Sequence, residues 1–489
     1  MNVIAAYDAS SSLARPFIDG AWHALANRDE IPVENPANEE VIATIPACSE
    51  EDADAAVAAA KAAFPGWATL PAIERAGFVN ALADAIDEDS ARLAAIVTAE
   101  QGKPLAQARG EISAAATFLR FAAEQARRIT GEILPSDNRG EEIFIRRHPY
   151  GVVVGLTAWN YPAALAARKL GPALVAGNTF VLLSHENTPL SGLAIAELAE
   201  KIGLPKGVFN VLTGRGAVVG QRLVEHPDTD LVTMTGSTRA GREIFRTAAD
   251  RLKVIRLELG GKAPFIVMED ADIDAAVAAA VTARFTNSGQ ICTCNERMYL
   301  HHAIADAFLD KFVTAAKALT IGDPTQTVDM GPKISGLEVN KVADITAQGV
   351  AAGAAVLLEG GPLSGGAFER GHWYAPTVLE VNDNANPLMQ TEVFGPVVAA
   401  KRIGGFDEAI SSANDTDFGL SAYLFTRDAK RLAEAPYRLR FGELYLNRTN
   451  GEAVQGFHTG WGMSGLGGED GIHGFDGYLR KQTAYLNWG

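Results

Sequence analysis

"GVVVGLTAWNYPAALAARKLGPALVAGNTFVLL", residues 151–183, decides the fold of this chain. A β-branched run ends at Trp159, an Ala/Leu-rich helical pattern follows from Pro162 to Gly177, and a second short apolar run occupies 179–183. Strand, helix and strand in that order predict a crossover unit of a parallel sheet. "LSGLAIAELAEKIG", "GVFNVL", "AVVGQRLVEH", "LVTMTG", "STRAGREIFRTAAD" and "VIRLELGG" continue the alternation to residue 261. A second α/β series runs from about 264 to 446, with "ADIDAAVAAAVTARFTNSG" and "AIADAFLDKFVTAAKAL" among its helical patterns. Two stacked α/β units are expected.

Upstream, "SEEDADAAVAAAKAAF" and "ERAGFVNALADAIDEDSARLAAIVTAEQG" read as helices, the first opened by a Ser49 cap with acids in its first turn. They are expected to form a solvated helical layer. "GEEIFIRRHPYG", residues 140–151, and "GYLRKQTAYLNWG", residues 477–489, alternate like strands outside any βα unit. Their pairing as a flap between subunits would cover sheet edges, so a homo-oligomer, dimer or tetramer, is expected.

The 489 residues exceed what one core usually fills, which predicts roughly two to four domains. Hydrophobic residues make 47% and charged residues 21%, the profile of a compact globule. The formal charge of -16, from 43 Lys plus Arg against 59 Asp plus Glu, repels phosphate backbones, so no nucleic-acid partner is expected. No apolar run approaches the roughly 20 residues of a membrane span. The amino terminus lacks a charged region followed by an apolar one, so a cytoplasmic location is expected. The three cysteines, Cys48, Cys292 and Cys294, predict neither a disulfide framework nor a zinc site, and no metal is expected.

"FTNSGQICTCNER", residues 285–297, places Cys292 where a helical pattern has ended and a strand has not begun, a position from which a thiol can face a cleft. An isolated cysteine is ordinarily a small buried hydrophobe. Two other strand ends change that reading. "LELGGK", residues 257–262, delivers Glu258 at the carboxyl end of a sheet strand, and "TAWNYP", residues 157–162, delivers Asn160 in the same way. A thiol, a carboxylate and a neutral amide are the parts of acyl transfer: nucleophile, general base and oxyanion donor. "MTGST" ends a strand and opens a helix, so Gly236 and Ser237 can offer backbone N–H groups and a hydroxyl to a pyrophosphate. The glycines of "LTGRGAVVG", Gly214 and Gly216, serve any turn equally well.

Together with "EVFGPV", residues 392–397, these motifs resemble in order and spacing those of the NAD(P)-dependent aldehyde dehydrogenase superfamily, over about residues 15 to 487. The resemblance implies an aldehyde-dehydrogenase-like α/β fold. It assigns 1–130 and 150–262 to a Rossmann-like NAD-binding domain, 263–460 to a catalytic domain, and 131–149 and 475–489 to the β-strand oligomerisation flap. It further implies that Cys292 attacks the aldehyde, that Asn160 and the Cys292 N–H hold the oxyanion, and that Glu258 activates the water that hydrolyses the thioester. Lys169 matches the family lysine that helps relay protons, and Cys294 falls outside the motif positions. For the cofactor it implies Trp159, Glu186, Gly216, Gly236, Ser237, Leu259, Glu392 and Phe394. Where the family usually reads Lys-Pro-Ser-Glu, this chain has "LSHE", Leu183 to Glu186. Glu186 would repel a 2'-phosphate and Leu183 removes the lysine that would hold one, which favours NAD over NADP.

"SGQICTCNER", "FGELYLNR" and "EAVQGFHTGW" are most similar to the bacterial lactaldehyde/glycolaldehyde dehydrogenase branch. Arg168, Thr293, Glu452 and His458 fall at tunnel-lining positions of the family, and such polar walls suit a small hydroxylated aldehyde. Three alternatives stay open: Arg168 as a carboxylate clamp for a semialdehyde acid such as succinic semialdehyde, a sugar aldehyde, and a structural salt bridge away from substrate. Glu258 argues against a coenzyme A-acylating enzyme, which lacks the water-activating carboxylate.

Overall fold

The computed structural model describes residues 14–25 and 27–489. The reading of the amino terminus, and the start of the first expected domain, fall partly on residues 1–13 and to that extent lie outside the described residues.

The βαβ unit forms as its sequence dictates. Val152–Leu156 and Thr179–Leu183 pair in parallel, with Val153 opposite Phe180. Helix Pro162–Ala176 joins them, opened by Pro162 in its first turn and closed by Gly177 at φ 104. Five parallel strands, in the order Phe209–Leu212, Thr179–Leu183, Val152–Leu156, Leu231–Thr235 and Val254–Glu258, make the heart of an eight-stranded sheet. The chain order reverses direction between Val152–Leu156 and Leu231–Thr235, and open α/β sheets bind ligands beyond the carboxyl ends of strands at such a switch point. Ala158 to Asn160, Gly236 and Ser237, and Leu259 and Gly260 all lie just past those ends.

A seven-stranded sheet carries the second series. Its central strands are Asn295–His301 and Ala263–Val267, flanked by Val397–Ile403 and Ser421–Phe425 and then by Glu443–Leu446 on one side. Here the chemistry-bearing residues precede the strands: Cys292 comes before Asn295, Glu392 and Phe394 come before Val397, and Glu443 opens its strand. The carboxyl ends of the first sheet thus face the amino ends of the second across one cavity. The short strand Gly465–Leu466 returns from beyond the second series to pair with Leu257 and Glu258, closing the edge of the first sheet.

Ser49 caps helix Glu50–Thr69 through a reciprocal box with Asp52, as expected. The helical layer itself differs from expectation. Helices Ala72–Glu88, Ser90–Gln101 and Leu105–Glu124 bury Leu82, Ile86, Leu93, Ile112 and Leu119 in one core with helix Pro162–Ala176. Their alanines permit close approach from more than one side, so an Ala-rich face that reads as weakly amphipathic is a packing face. Leu479–Asn487 pairs with Glu141–Pro149, and Glu132–Pro135 completes a three-stranded antiparallel sheet. Ile133, Tyr485, Leu486 and Trp488 are exposed on this segment.

Candidate active site

A cavity of about 500 Å³ lies between the two sheets. Its wall includes Trp159, Asn160, Arg168, Gly236, Ser237, Leu259, Cys292, Thr293, Glu392, Phe394, Glu452 and His458, twelve of the sixteen residues singled out in the sequence. Glu258 and Lys169 are buried just behind this wall. Glu186, half-buried after strand Thr179–Leu183, and Gly216, exposed at the start of the turn Gly216–Gly220, are not part of it.

The loop that presents Cys292 is held in an uncommon backbone shape. Asn287, Ser288 and Gly289 are all left-handed, at φ 50, 54 and 73. Two of these carry side chains, and each such residue costs on the order of 1–2 kcal/mol. The neighbourhood enforces the shape: a Cβ on Gly289 would stand 2.4 Å from the Gly395 carbonyl oxygen, and Ser288 donates to the Gly331 carbonyl at 2.7 Å. Burial pushes the half-buried Cys292 thiol up, and the nearby His458 works against that rise. Cys294 is fully buried and pushed up to about 11 by desolvation, an inert thiol.

Asn160 donates its side-chain amide to the Gln290 carbonyl at 2.9 Å, which sets the amide two residues from Cys292. Its second N–H is free to turn toward the cavity. Lys103 in turn donates to the Asn160 carbonyl at 2.7 Å and pairs with Glu111 at 2.5 Å, all without solvent contact. Glu111 accepts from the first amides of helix Pro162–Ala176, Ala163 N at 2.9 Å and Ala164 N at 3.2 Å.

Burial pushes the Glu258 carboxyl up to about 7, opposed by His458, and neither of its oxygens has a hydrogen-bond partner among the described residues. A carboxylate poised there and left unpartnered has the character of a general base. Its neighbour is His458, whose Nε2 lies 3.5 Å from Glu258 Oε2 and whose Nδ1 lies 3.0 Å from Glu443 Oε2. Burial and the Arg168 charge work against a charged imidazole. Glu443 and Cys292 override them and hold His458 well above its ordinary value. Lys169 donates to Glu469, which also accepts from Thr233 at 3.0 Å. Lys169 therefore reaches Glu258 only through its field, and burial lowers its ammonium. Against burial, Lys169 and Arg168 bring Glu469 down to about 2.

Arg168 lines the cavity and is at the same time the hub of a salt bridge. It grips Asp470 with Nε and Nη2, the Nε contact at 2.8 Å, approaches Glu469 Oε2 at 3.4 Å, and lies over the Phe118 ring. Thr293 accepts from Asn450 at 3.3 Å. Glu452 opens to solvent in the same wall, and Tyr445 bridges it to Glu443.

The residues toward Gly236 fit a nicotinamide dinucleotide. Ser237 caps helix Thr238–Ala249 by accepting from Ala240 at 3.2 Å, which places a helix N-terminus at the cavity. The Gly236 N–H, expected to face a pyrophosphate, is committed to the Glu258 carbonyl at 3.0 Å, and a Cβ on Gly236 would stand 2.4 Å from the Met234 methyl. A Cβ on Gly260 would stand 2.4 Å from Glu392 Oε2. Glu392 accepts from Gly261 at 2.9 Å and is pushed up to about 7 by burial. Phe394, left-handed at φ 56, meets Trp159 edge-on with centroids 5.4 Å apart. Glu296 holds that conformation by accepting from Val393 and Phe394 at 2.8 and 2.7 Å, while Lys262 neutralises it at 2.8 Å. Leu183 is only 4% exposed, packed among Val154, Val181 and Leu212. Burial holds His185 down at about 4, hence neutral.

Sequence reasoning missed Glu443, Glu469, Asp470, Lys103, Glu111 and Glu296. Glu443 stands inside "FGELYLNR" and Glu296 two residues after Cys294, so their positions were visible, but nothing local marks their partners.

Residues 22–484 match the sequence pattern of the aldehyde dehydrogenase family. Among similar proteins, 3,6-anhydro-alpha-L-galactose dehydrogenase of Vibrio sp. (strain EJY3) is 43% identical over 96% of this chain and 98% of its own. Lactaldehyde dehydrogenase of Escherichia coli (strain K12) is 42% identical over 96% of this chain and 98% of its own. A structure of 3,6-anhydro-L-galactose dehydrogenase in complex with NAP superposes with a TM-score of 0.95 at 45% identity, covering 97% of this chain and 99% of that one.

Proposed function

The chain belongs to the aldehyde dehydrogenase family, and on that premise we propose that it oxidises a small hydroxylated aldehyde, of the lactaldehyde or glycolaldehyde type, to its carboxylic acid with NAD. The observation that carries the substrate class is the state of Arg168. Its guanidinium is already gripped by Asp470 and flanked by Glu469. A substrate carboxylate would meet a compensated cation with Glu452 beside it, whereas hydroxyls find neutral and charged donors and acceptors in Arg168, Thr293, Glu452 and His458.

In this reading Cys292 attacks the aldehyde carbon, and the oxyanion is held by the Asn160 amide and the Cys292 N–H. Bound beside Trp159, Gly236, Ser237, Leu259, Glu392 and Phe394, the nicotinamide would supply the hydride acceptor. Glu258 draws a proton from water, the hydroxide cleaves the thioester, and the acid leaves. Lys169 tempers Glu258 through its field. Glu186 and Leu183 favour NAD: the first repels a 2'-phosphate, the second offers no cation to one. The exposed apolar residues of the 131–149 and 475–489 segments support assembly as a homodimer or homotetramer.

A hydroxylated sugar aldehyde is the second reading, favoured by the two similar proteins named for 3,6-anhydrogalactose. Reduced-nicotinamide absorbance, followed with lactaldehyde, glycolaldehyde, an anhydrosugar aldehyde and succinic semialdehyde, separates these by kcat/KM. A preference for the semialdehyde acid sinks both readings.

A further inference from the structure

We propose that Asp470 is a positioning residue that sets the substrate class: by holding the fork of Arg168 it turns the guanidinium from a clamp for carboxylates into a wall for hydroxyls. The proposal rests on the reading of Arg168 as a wall of the substrate site and deepens it.

The backbone at Asp470 runs against the preference of its residue type. At φ 62 and ψ 171 it occupies a region that essentially only glycine enters without strain. Its neighbours on both sides pin it there. Glu469 exchanges backbone hydrogen bonds with His458 at 2.9 and 2.7 Å, and Gly471 donates to the Val454 carbonyl at 2.9 Å. A Cβ on Gly471 would stand 2.2 Å from the Gly456 carbonyl oxygen, so the two strands of chain meet backbone to backbone. Residue 470 is thereby registered against the loop that carries Glu452 and His458. What the strained residue delivers is one carboxylate, its side chain 2% exposed, to one guanidinium.

Arg168 comes from helix Pro162–Ala176. Its Nε, at 2.8 Å, and its Nη2 donate to the two Asp470 oxygens, the bidentate geometry that a substrate carboxylate would also seek. Glu469 Oε2 lies 3.4 Å from the same Nε, although Lys169 shares that carboxylate. The Phe118 ring covers the guanidinium with its centroid 5.1 Å away. A second cavity that Arg168 borders, together with Phe121, Phe475 and Tyr478, holds only about 20 Å³, room for one water. Without Asp470 the side chain would keep its charge and have one open direction, the large cavity that contains Cys292. An aldehyde acid could then supply the missing counterion, which a hydroxyl cannot do. Hydroxylated aldehydes would lose an aligned donor in the same step. Glu452 borders that cavity with or without Asp470, so its repulsion of a carboxylate is common to both states.

The test compares D470N with the wild type, as full-length enzymes at saturating NAD, in kcat/KM for glycolaldehyde and for succinic semialdehyde. The ratio of semialdehyde to glycolaldehyde is expected to rise about tenfold or more, chiefly through a lower KM for the semialdehyde. R168M/D470N is expected to abolish the gain. Succinate, which carries carboxylates and no aldehyde, is expected to raise the thermal midpoint of D470N more than that of the wild type. A merely structural Asp470 would lower kcat/KM for both aldehydes alike. An unchanged ratio, a gain that survives without Arg168, or equal thermal shifts overturn the proposal. D470G, which relaxes the left-handed backbone as it removes the carboxylate, decides if D470N does not fold. A wild type that already prefers the semialdehyde would instead remove the substrate reading, a separate failure on which the change of ratio does not depend.

Discussion

Lys103 donates its ammonium to the backbone carbonyl of Asn160 at 2.7 Å, so a side chain 57 residues upstream fixes the peptide that carries the Asn160 amide, the oxyanion donor of the proposed mechanism. Its charge is neutralised by Glu111, and both are wholly buried. K103M leaves the Glu111 carboxylate buried and half-satisfied, an expected loss of about 3–5 kcal/mol in unfolding free energy. Denaturant unfolding measures it. Where the variant stays folded, kcat falls more than KM changes, because the misplaced group acts on the transition state.

Glu258 gives activity and stability opposite pH dependences. Burial raises its carboxyl from 4.5 to about 7, so between those values the native state binds the extra proton. Stability therefore declines as pH rises through that window, by on the order of 3 kcal/mol. On the proposed mechanism the base becomes competent in the same window. E258Q is expected to flatten that decline in thermal unfolding while reducing turnover to a single burst of reduced nicotinamide. A variant that kept steady turnover would exclude Glu258 as the water base.

Cofactor choice tests the ribose end. Leu183 is packed in the core and His185 is neutral, so on the proposed reading Glu186 is the charge that would address the ribose. E186Q should raise kcat/KM for NADP relative to NAD by about tenfold, the worth of one charge-assisted contact. An unchanged ratio would place the discrimination elsewhere.

The exposed flap makes a prediction about mass. Leu486 and Ile133 are 52% and 70% exposed on one three-stranded sheet. L486K with I133K should lower the sedimentation coefficient of the assembled protein, since charge in an apolar interface is costly. Wild-type enzyme sedimenting as a monomer would remove the flap's assigned role.

What the sequence disclosed was local or repetitive. The Ser49 cap depends on residues three apart, and the βαβ unit on a change of hydrophobic period, so both could be read directly. Cys292, Asn160 and Glu258 were legible because each ends a strand or loop in a recognisable motif. Glu443 was not, because its meaning lies in a ring nitrogen fifteen residues away on another loop. Arg168 was read as a tunnel-lining residue and does border the cavity, but its bond to Asp470 spans 302 residues. The buried helical layer escaped for a related reason. Alanine carries too little hydrophobic signal to reveal which face packs, and the packing partner is helix Pro162–Ala176 far along the chain.

The opposition of the two sheets has a consequence for how the enzyme fails. Glu258 ends a strand of one sheet and Glu443 begins a strand of the other, with His458 within reach of both. This arrangement is therefore a distance between two bodies, each with its own core. A slight parting of those bodies would uncouple the imidazole from one carboxylate while every helix and strand stayed intact. On warming, catalysis should fade at a lower temperature than circular dichroism, and the gap between the two curves gauges the stiffness of the seam.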